Sequence, residues 1–305
     1  MTEFEKILME DKNKSTSNNK HKPNINALSR ETYAESKKEK RDHCYSMIQY
    51  ACVQIERSPI ALKNFLNVMS RFERYSLNNN LLIFAQKPTA IKLKDRMKVM
   101  AENQSIRSGT KAIYILEPEK VKGEDGEWTR YNAVSKFDVV DLENEPPVVE
   151  VAYDQQMKIR ALVSNSPVKI QTVDPSEYPK AFSTGAYYDV QQNLIIAKRD
   201  MSFQEIFLSV AEALAHAEMK RDYEGEYHVQ EHAFEAKCTA YTLAKKYEFS
   251  TDSIDIPPFV NPSGNENHLK ECMGRVHKNV KNIQYRMFQK LEPQKEQQRN
   301  DGEAR

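Results

Sequence analysis

No stretch of this 305-residue sequence approaches the ~18 consecutive apolar residues that a membrane-crossing helix needs, which excludes a spanning role. Residues 1–14 also lack the apolar core of a secretory signal, so the expected location is cytoplasmic. Cysteine is scarce. Cys44, Cys52, Cys238 and Cys272 never fall at C-x-x-C spacing, which argues against a zinc knuckle or a disulfide framework and predicts reduced, mostly buried thiols. Nor is there an excess of charge of one sign. Lys and Arg total 45 against 44 Asp and Glu, a net charge of +1, so any attraction to nucleic acid must come from a local basic surface.

What is present is polar and patterned, with 29% charged and 39% hydrophobic residues, enough for two domains with modest cores and polar tails. Residues 1–38 are rich in Lys, Asn, Ser and Glu and read as a disordered tail. Helical periodicity predicts helices over 42–57 and from Pro59 onward, the second with Leu62, Phe65, Leu66, Met69 and Phe72 on its buried stripe. A further helix is expected over 91–100, then a strand over 106–116. A turn at 123–126 pairs that strand with 128–134, and 137–140 adds another. From Phe137 to Met157 there are six acidic residues and no basic ones, around Pro146-Pro147. We place an acidic, proline-bearing linker at 142–152, between domains at 39–141 and 153–291.

The second domain opens with a helix over 154–165 and a strand over 168–173. Two short strands, 187–189 and 194–197, flank the turn at Gln192-Asn193. Ser202 and Glu205 form a capping box for a long helix whose stripe is Phe203, Phe207, Val210, Leu214 and Ala217. Another helix is expected over 229–247. A last one carries Leu269, Met273, Val276, Val280, Ile283, Met287 and Leu291, with a disordered tail at 292–305. The fold class is α+β.

Two features carry chemistry. Between residues 87 and 111 lie Lys87, Lys92, Lys94, Arg96, Lys98, Arg107 and Lys111 against only Asp95 and Glu102. Tyr75, Tyr114, Trp128 and Tyr131 are nearby in sequence. Cations that track phosphates and rings that stack bases are what single-stranded nucleic acid requires, although the same residues also fit a solvated helix face and a hairpin core. The second feature is Glu212 and His216, four apart on one helix face. They fit either a solvated i,i+4 pair or part of a metal site.

The order Tyr75-Ser76-Leu77-Asn78-Asn79-Asn80-Leu81-Leu82-Ile83-Phe84-Ala85-Gln86-Lys87-Pro88 resembles the most recognisable segment of the N-terminal domain of ArdC-type antirestriction proteins. The Tyr187-Tyr188-Asp189 strand and the hexad Glu212-Ala213-Leu214-Ala215-His216-Ala217 resemble their C-terminal zincin domain, which is akin to ImmA/IrrE metallopeptidases. In those relatives the hexad reads His-Glu-Leu-Ala-His-Ala. This chain keeps the second His, has Glu212 at the first ligand position and replaces the general base with Ala213. The resemblance implies a third ligand on the next helix, where Glu235 and Lys237 occupy the two family glutamate positions. A Lys237 ammonium would neutralise Glu212 if 237 is the ligand position. His228 and His232 read as a loop-proximal surface pair.

The metal set implied is Glu212, His216 and Glu235, in a degenerate zincin-like fold where zinc retention is left open and no catalytic residue is assigned. The DNA-binding set is Tyr75, Asn78, Asn79, Lys87, Lys92, Arg107, Lys111, Tyr114 and Trp128. The expected function is single-stranded DNA binding in the service of restriction evasion, with an inactive peptidase-like domain open to a protein partner. Two alternatives stand beside it: a zinc peptidase using the Glu/His/Glu set, and an interaction scaffold.

Overall fold

The computed structural model describes residues 30–123, 126–144, 153–180, 184–262 and 264–303. The chain divides into two units between Lys40 and Arg41, of which the second holds the elements described below from Arg41 onward. Most of the expected N-terminal tail lies outside the described residues, as do residues 145–152 of the expected linker.

Helix α1 (Arg30–Arg57) begins a dozen residues before its expected start, through a run of Glu, Lys, Ala and Arg with good helix propensity. In α2 (Pro59–Arg71) the Ser58 hydroxyl accepts from the Ala61 N–H and Pro59 takes the first turn, where its missing N–H costs nothing. In α3 (Leu77–Gln86) the Ser76 hydroxyl accepts from the Asn79 N–H. Phe65 of α2 and Phe84 of α3 meet edge to face, with ring centroids 5.8 Å apart.

The helix expected over 91–100 is a correction. The chain forms strand β1 (Leu93–Asp95) and then a short helix, α4 (Arg96–Ala101), because the Asp95 carboxylate accepts from the Lys98 N–H and caps the helix there. Strand β2 (Ser105–Ile106) is separate from β3 (Ile113–Gly123), which forms a long antiparallel hairpin with β4 (Gly126–Asp138). The strand expected at 137–140 is instead the end of β4 followed by a 3-10 turn at Val139–Asp141. The first sheet has the order β1-β4-β3, and β2 pairs with β5 (Leu142–Glu143). Val99, Phe137, Val139 and Leu142 form the small core beneath.

After α5 (Gln155–Val163), capped by Asp154, strands β6 (Lys169–Val173), β7 (Ala186–Asp189) and β8 (Leu194–Lys198) form a sheet of order β6-β8-β7. β6 runs parallel to β8, and β7 antiparallel to it. The capping box at Ser202 and Glu205 starts α6 (Phe203–Arg221). Its inner face is buried as the periodicity predicts, except that Phe203 at its start remains exposed. A 3-10 turn (Val229–His232) leads into α7 (Ala233–Lys246). Helix α8 (His268–Glu303) continues past Leu291 through the stretch expected to be tail. It packs on α5, α6 and α7. Among the described residues, no helix is long and apolar enough to cross a membrane.

Candidate functional site

The 75–88 segment is built from the inside. Asn79 of α3 is buried. Its amide donates to the Leu116 carbonyl at 2.9 Å, and its amide oxygen accepts from the Leu116 N–H at 2.8 Å. Two turns later Gln86 does the same for Tyr114, donating at 2.8 Å and accepting at 2.9 Å. The two side-chain amides thus stand in for a neighbouring strand along the outer edge of β3. Asn80 donates to the carbonyls of Phe72, Tyr75 and Ser76, holding the turn into α3.

Several residues of the expected DNA-binding set are therefore engaged internally. Asn79 fastens β3, and Tyr114 is buried in it. The Lys87 ammonium lies 3.1 Å from Asp138 and 2.6 Å from Asp141. Lys94, a buried member of the basic run, pairs with Glu102 at 2.6 Å. Asn78 is half-buried in the first turn of α3, whereas Lys92, Arg107 and Lys111 are exposed. Trp128 is 51% exposed on β4. The cations beside it are paired, Arg130 with Glu119 at 2.7 Å and Lys122 with Glu127 at 3.0 Å.

Tyr75 and Lys92 come together in a cleft of about 210 Å³ lined by Arg71, Phe72, Glu73, Arg74, Tyr75, Ile91, Lys92 and Leu93. Phe72 and Tyr75 pack edge to face at 5.7 Å. Arg71 supports the floor, its Nε donating to the Ala90 carbonyl at 2.8 Å. Arg74 and Lys92 are exposed. The cleft's one carboxylate, Glu73, is 3.2 Å from the Lys246 ammonium of α7. His277 Nε2 donates to the Tyr75 carbonyl at 2.9 Å, which ties α8 to the same turn. The contributions of Arg71 and Arg74 were not singled out in the sequence, although Arg74 directly precedes Tyr75.

On α6, Glu212 is half-buried. Burial raises its carboxyl pKa above the ordinary range, and the Lys237 charge opposes the rise. His216 is buried, its Nδ1 2.8 Å from the Tyr227 hydroxyl. Burial lowers its pKa to about 3, with a smaller push from His232. His232 corrects the expectation of a surface pair. It is buried and its ring stacks on Tyr227 at 4.7 Å and 10°, while His228 is exposed.

Glu235 is also buried, but its Oε1 accepts from Arg275 Nη2 at 2.6 Å and Nε at 3.1 Å. Tyr227 and Arg275 were invisible to motif reading, since each reaches this region from another element of the fold. Among the described residues, no group of three His, Cys, Asp or Glu side chains is placed to hold a metal ion. The donor set Glu212, His216 and Glu235 therefore does not fit a metal as arranged. One imidazole nitrogen faces a phenol, and the third carboxylate already has a cation.

The fold is an α+β architecture similar to that of ArdC antirestriction proteins. The Mn(II)-bound crystal structure of the antirestriction ArdC protein from the R388 plasmid is similar over 80% of this chain and 97% of its own, with a TM-score of 0.51 and 12% identity. The metal-free crystal structure of that protein covers 70% of this chain and 85% of its own, with a TM-score of 0.45 and 13% identity. At this identity the likeness is one of fold. No protein-family model matches the sequence, and no curated protein matches it.

Proposed function

We propose that this protein binds single-stranded DNA, with the cleft at Arg74, Tyr75 and Lys92 as the centre of the contact. The observation that carries the reading is the gathering of two exposed cations and a half-buried tyrosine around one opening whose single carboxylate is already neutralised by Lys246. Phosphates need accessible cations and bases need a ring to lie against; Arg74 and Lys92 are exposed with no ion-pair partner among the described residues, and Tyr75 supplies the ring. Arg107 and Lys111 are also exposed. Asn79, Lys87 and Tyr114 serve the fold beneath. Trp128 is left outside the contact because the cations around it are paired with carboxylates.

In this reading the chain works in restriction evasion, the activity that the name of its structural relative gives to that protein. The α6–α7 region serves as a packed body without hydrolytic chemistry. Ala213 supplies a methyl group where a base would be needed, and Arg275 occupies the Glu235 carboxylate. The test is fluorescence anisotropy with a labelled single-stranded oligonucleotide. Binding at low salt that weakens in the Arg74→Ala and Lys92→Ala variants supports the proposal, and no binding by the wild-type chain rejects it.

A further inference from the structure

The two edges of the first sheet are treated differently. On β3 the backbone groups of Tyr114 and Leu116 point away from β4 and are taken by Gln86 and Asn79. The next outward position in the same alternation is Pro118, which has no N–H to offer, and Lys120 and Lys122 follow. Side-chain amides, a proline and lysines are the means by which proteins stop a strand edge from recruiting another strand.

The outer edge of β4 has none of these. β1 covers it only at residues 136–138. The Val139 N–H donates to the Lys92 carbonyl on that side, so the odd-numbered residues of this strand face outward. Glu127, Thr129, Tyr131 and Ala133, beyond the reach of the β1 ladder, therefore present four N–H and four C=O groups with no backbone partner among the described residues. Residues 126–131 are exposed, with Tyr131 at 45%. A two-stranded ribbon of this kind is marginal alone and gains from further strands.

We propose that this edge pairs with the same edge of a second copy of the chain, antiparallel, with the two-fold axis at Tyr131. The sequence of β4 complements itself in that register. Tyr131 meets Tyr131, Trp128 lies opposite Val134, and Thr129 lies opposite Ala133. Aromatic and β-branched pairs of this sort favour cross-strand pairing. Arg130 falls opposite Asn132 and Glu127 opposite Ser135, so no like charges face each other. Moving the axis one residue to Arg130 would set two guanidinium groups opposite each other. The two hairpins join into one four-stranded antiparallel sheet.

Sedimentation velocity on the full chain tests the pairing. The wild type sediments as a dimer, and Tyr131→Lys, which sets two ammonium groups opposite each other at the axis, weakens dimerisation by at least about tenfold. Tyr131 is exposed, so the far-UV circular dichroism of that variant stays unchanged. Thr129→Pro, which removes an outward N–H without touching the β3 ladder, has the same effect. Tyr131→Cys forms an intermolecular disulfide under mild oxidation, and Lys122→Cys, on the blocked edge, does not. A wild-type chain that stays monomeric up to about 100 μM overturns the proposal, as does a dimer that Tyr131→Lys leaves intact.

Discussion

Residues 75–88 and helix α6 are the two stretches whose order of residues is most distinctive, and the molecule uses them in opposite ways. In the first, the most recognisable polar residues face inward and act as backbone mimics. Asn79 and Gln86 complete an edge of β3, Asn80 holds a turn, and the outward chemistry falls to Tyr75 and its neighbours Arg74 and Lys92. In the second, His216 is buried and Glu212 half-buried, and with the buried Glu235 of the following helix α7 they have a phenol and cations as neighbours. The lesson is that a distinctive residue order in this protein reports what fastens the fold, and the contact surface has to be found from exposure and pairing.

The comparison breaks most sharply at Arg275. Arg275→Ala leaves the buried Glu235 carboxylate without its cation, and the expected loss is about 3–5 kcal/mol in urea unfolding. A loss below about 1 kcal/mol would mean that Arg275 is not what holds the Glu235 carboxylate in place. Next in size is the edge of β3. Asn79→Ala strands two buried backbone groups of Leu116 and should cost about 2–4 kcal/mol, while Asn78→Ala, one residue away, should stay within about 0.5 kcal/mol. Equal effects at the two asparagines would contradict the backbone-mimic role.

A smaller effect sharpens the link between α8 and the cleft. Burial holds the His277 pKa below its ordinary value of 6.5, so its neutral form is favoured by folding. Its contribution to stability is complete above pH 6.5 and is lost as the pH falls below that value. His277→Gln, which keeps a donor for the Tyr75 carbonyl, should flatten part of the acid limb of a stability–pH curve and leave the plateau near pH 8 little changed. An unaltered acid limb would show that His277 titrates freely in the folded protein.

Much of the fold was legible because capping and periodicity are local. The capping box at Ser202, the stripe of α6 after Phe203, the β7–β8 pair and the start of the β3–β4 pairing at Gly123 and Gly126 all follow from residues within a few positions of one another. The errors came where a single side chain redirected the chain. Asp95 caps a helix in the middle of an apparently continuous periodic run, and so splits it into β1 and α4. The site was less legible because its partners are remote. Arg275 reaches Glu235 from 40 positions away, and Lys246 neutralises Glu73 from another helix. The burial of His232 depends on Tyr227, which neither helix pattern includes.

The central claim is that the Arg74–Tyr75–Lys92 cleft holds single-stranded DNA, and the salt dependence of binding tests it most directly. Anisotropy with a labelled oligonucleotide should give a linear fall of log affinity with log salt. The Arg74→Ala/Lys92→Ala double variant should reduce that slope by about 1.4, two phosphate contacts' worth for a single strand. A double variant with the wild-type affinity and slope would contradict the account.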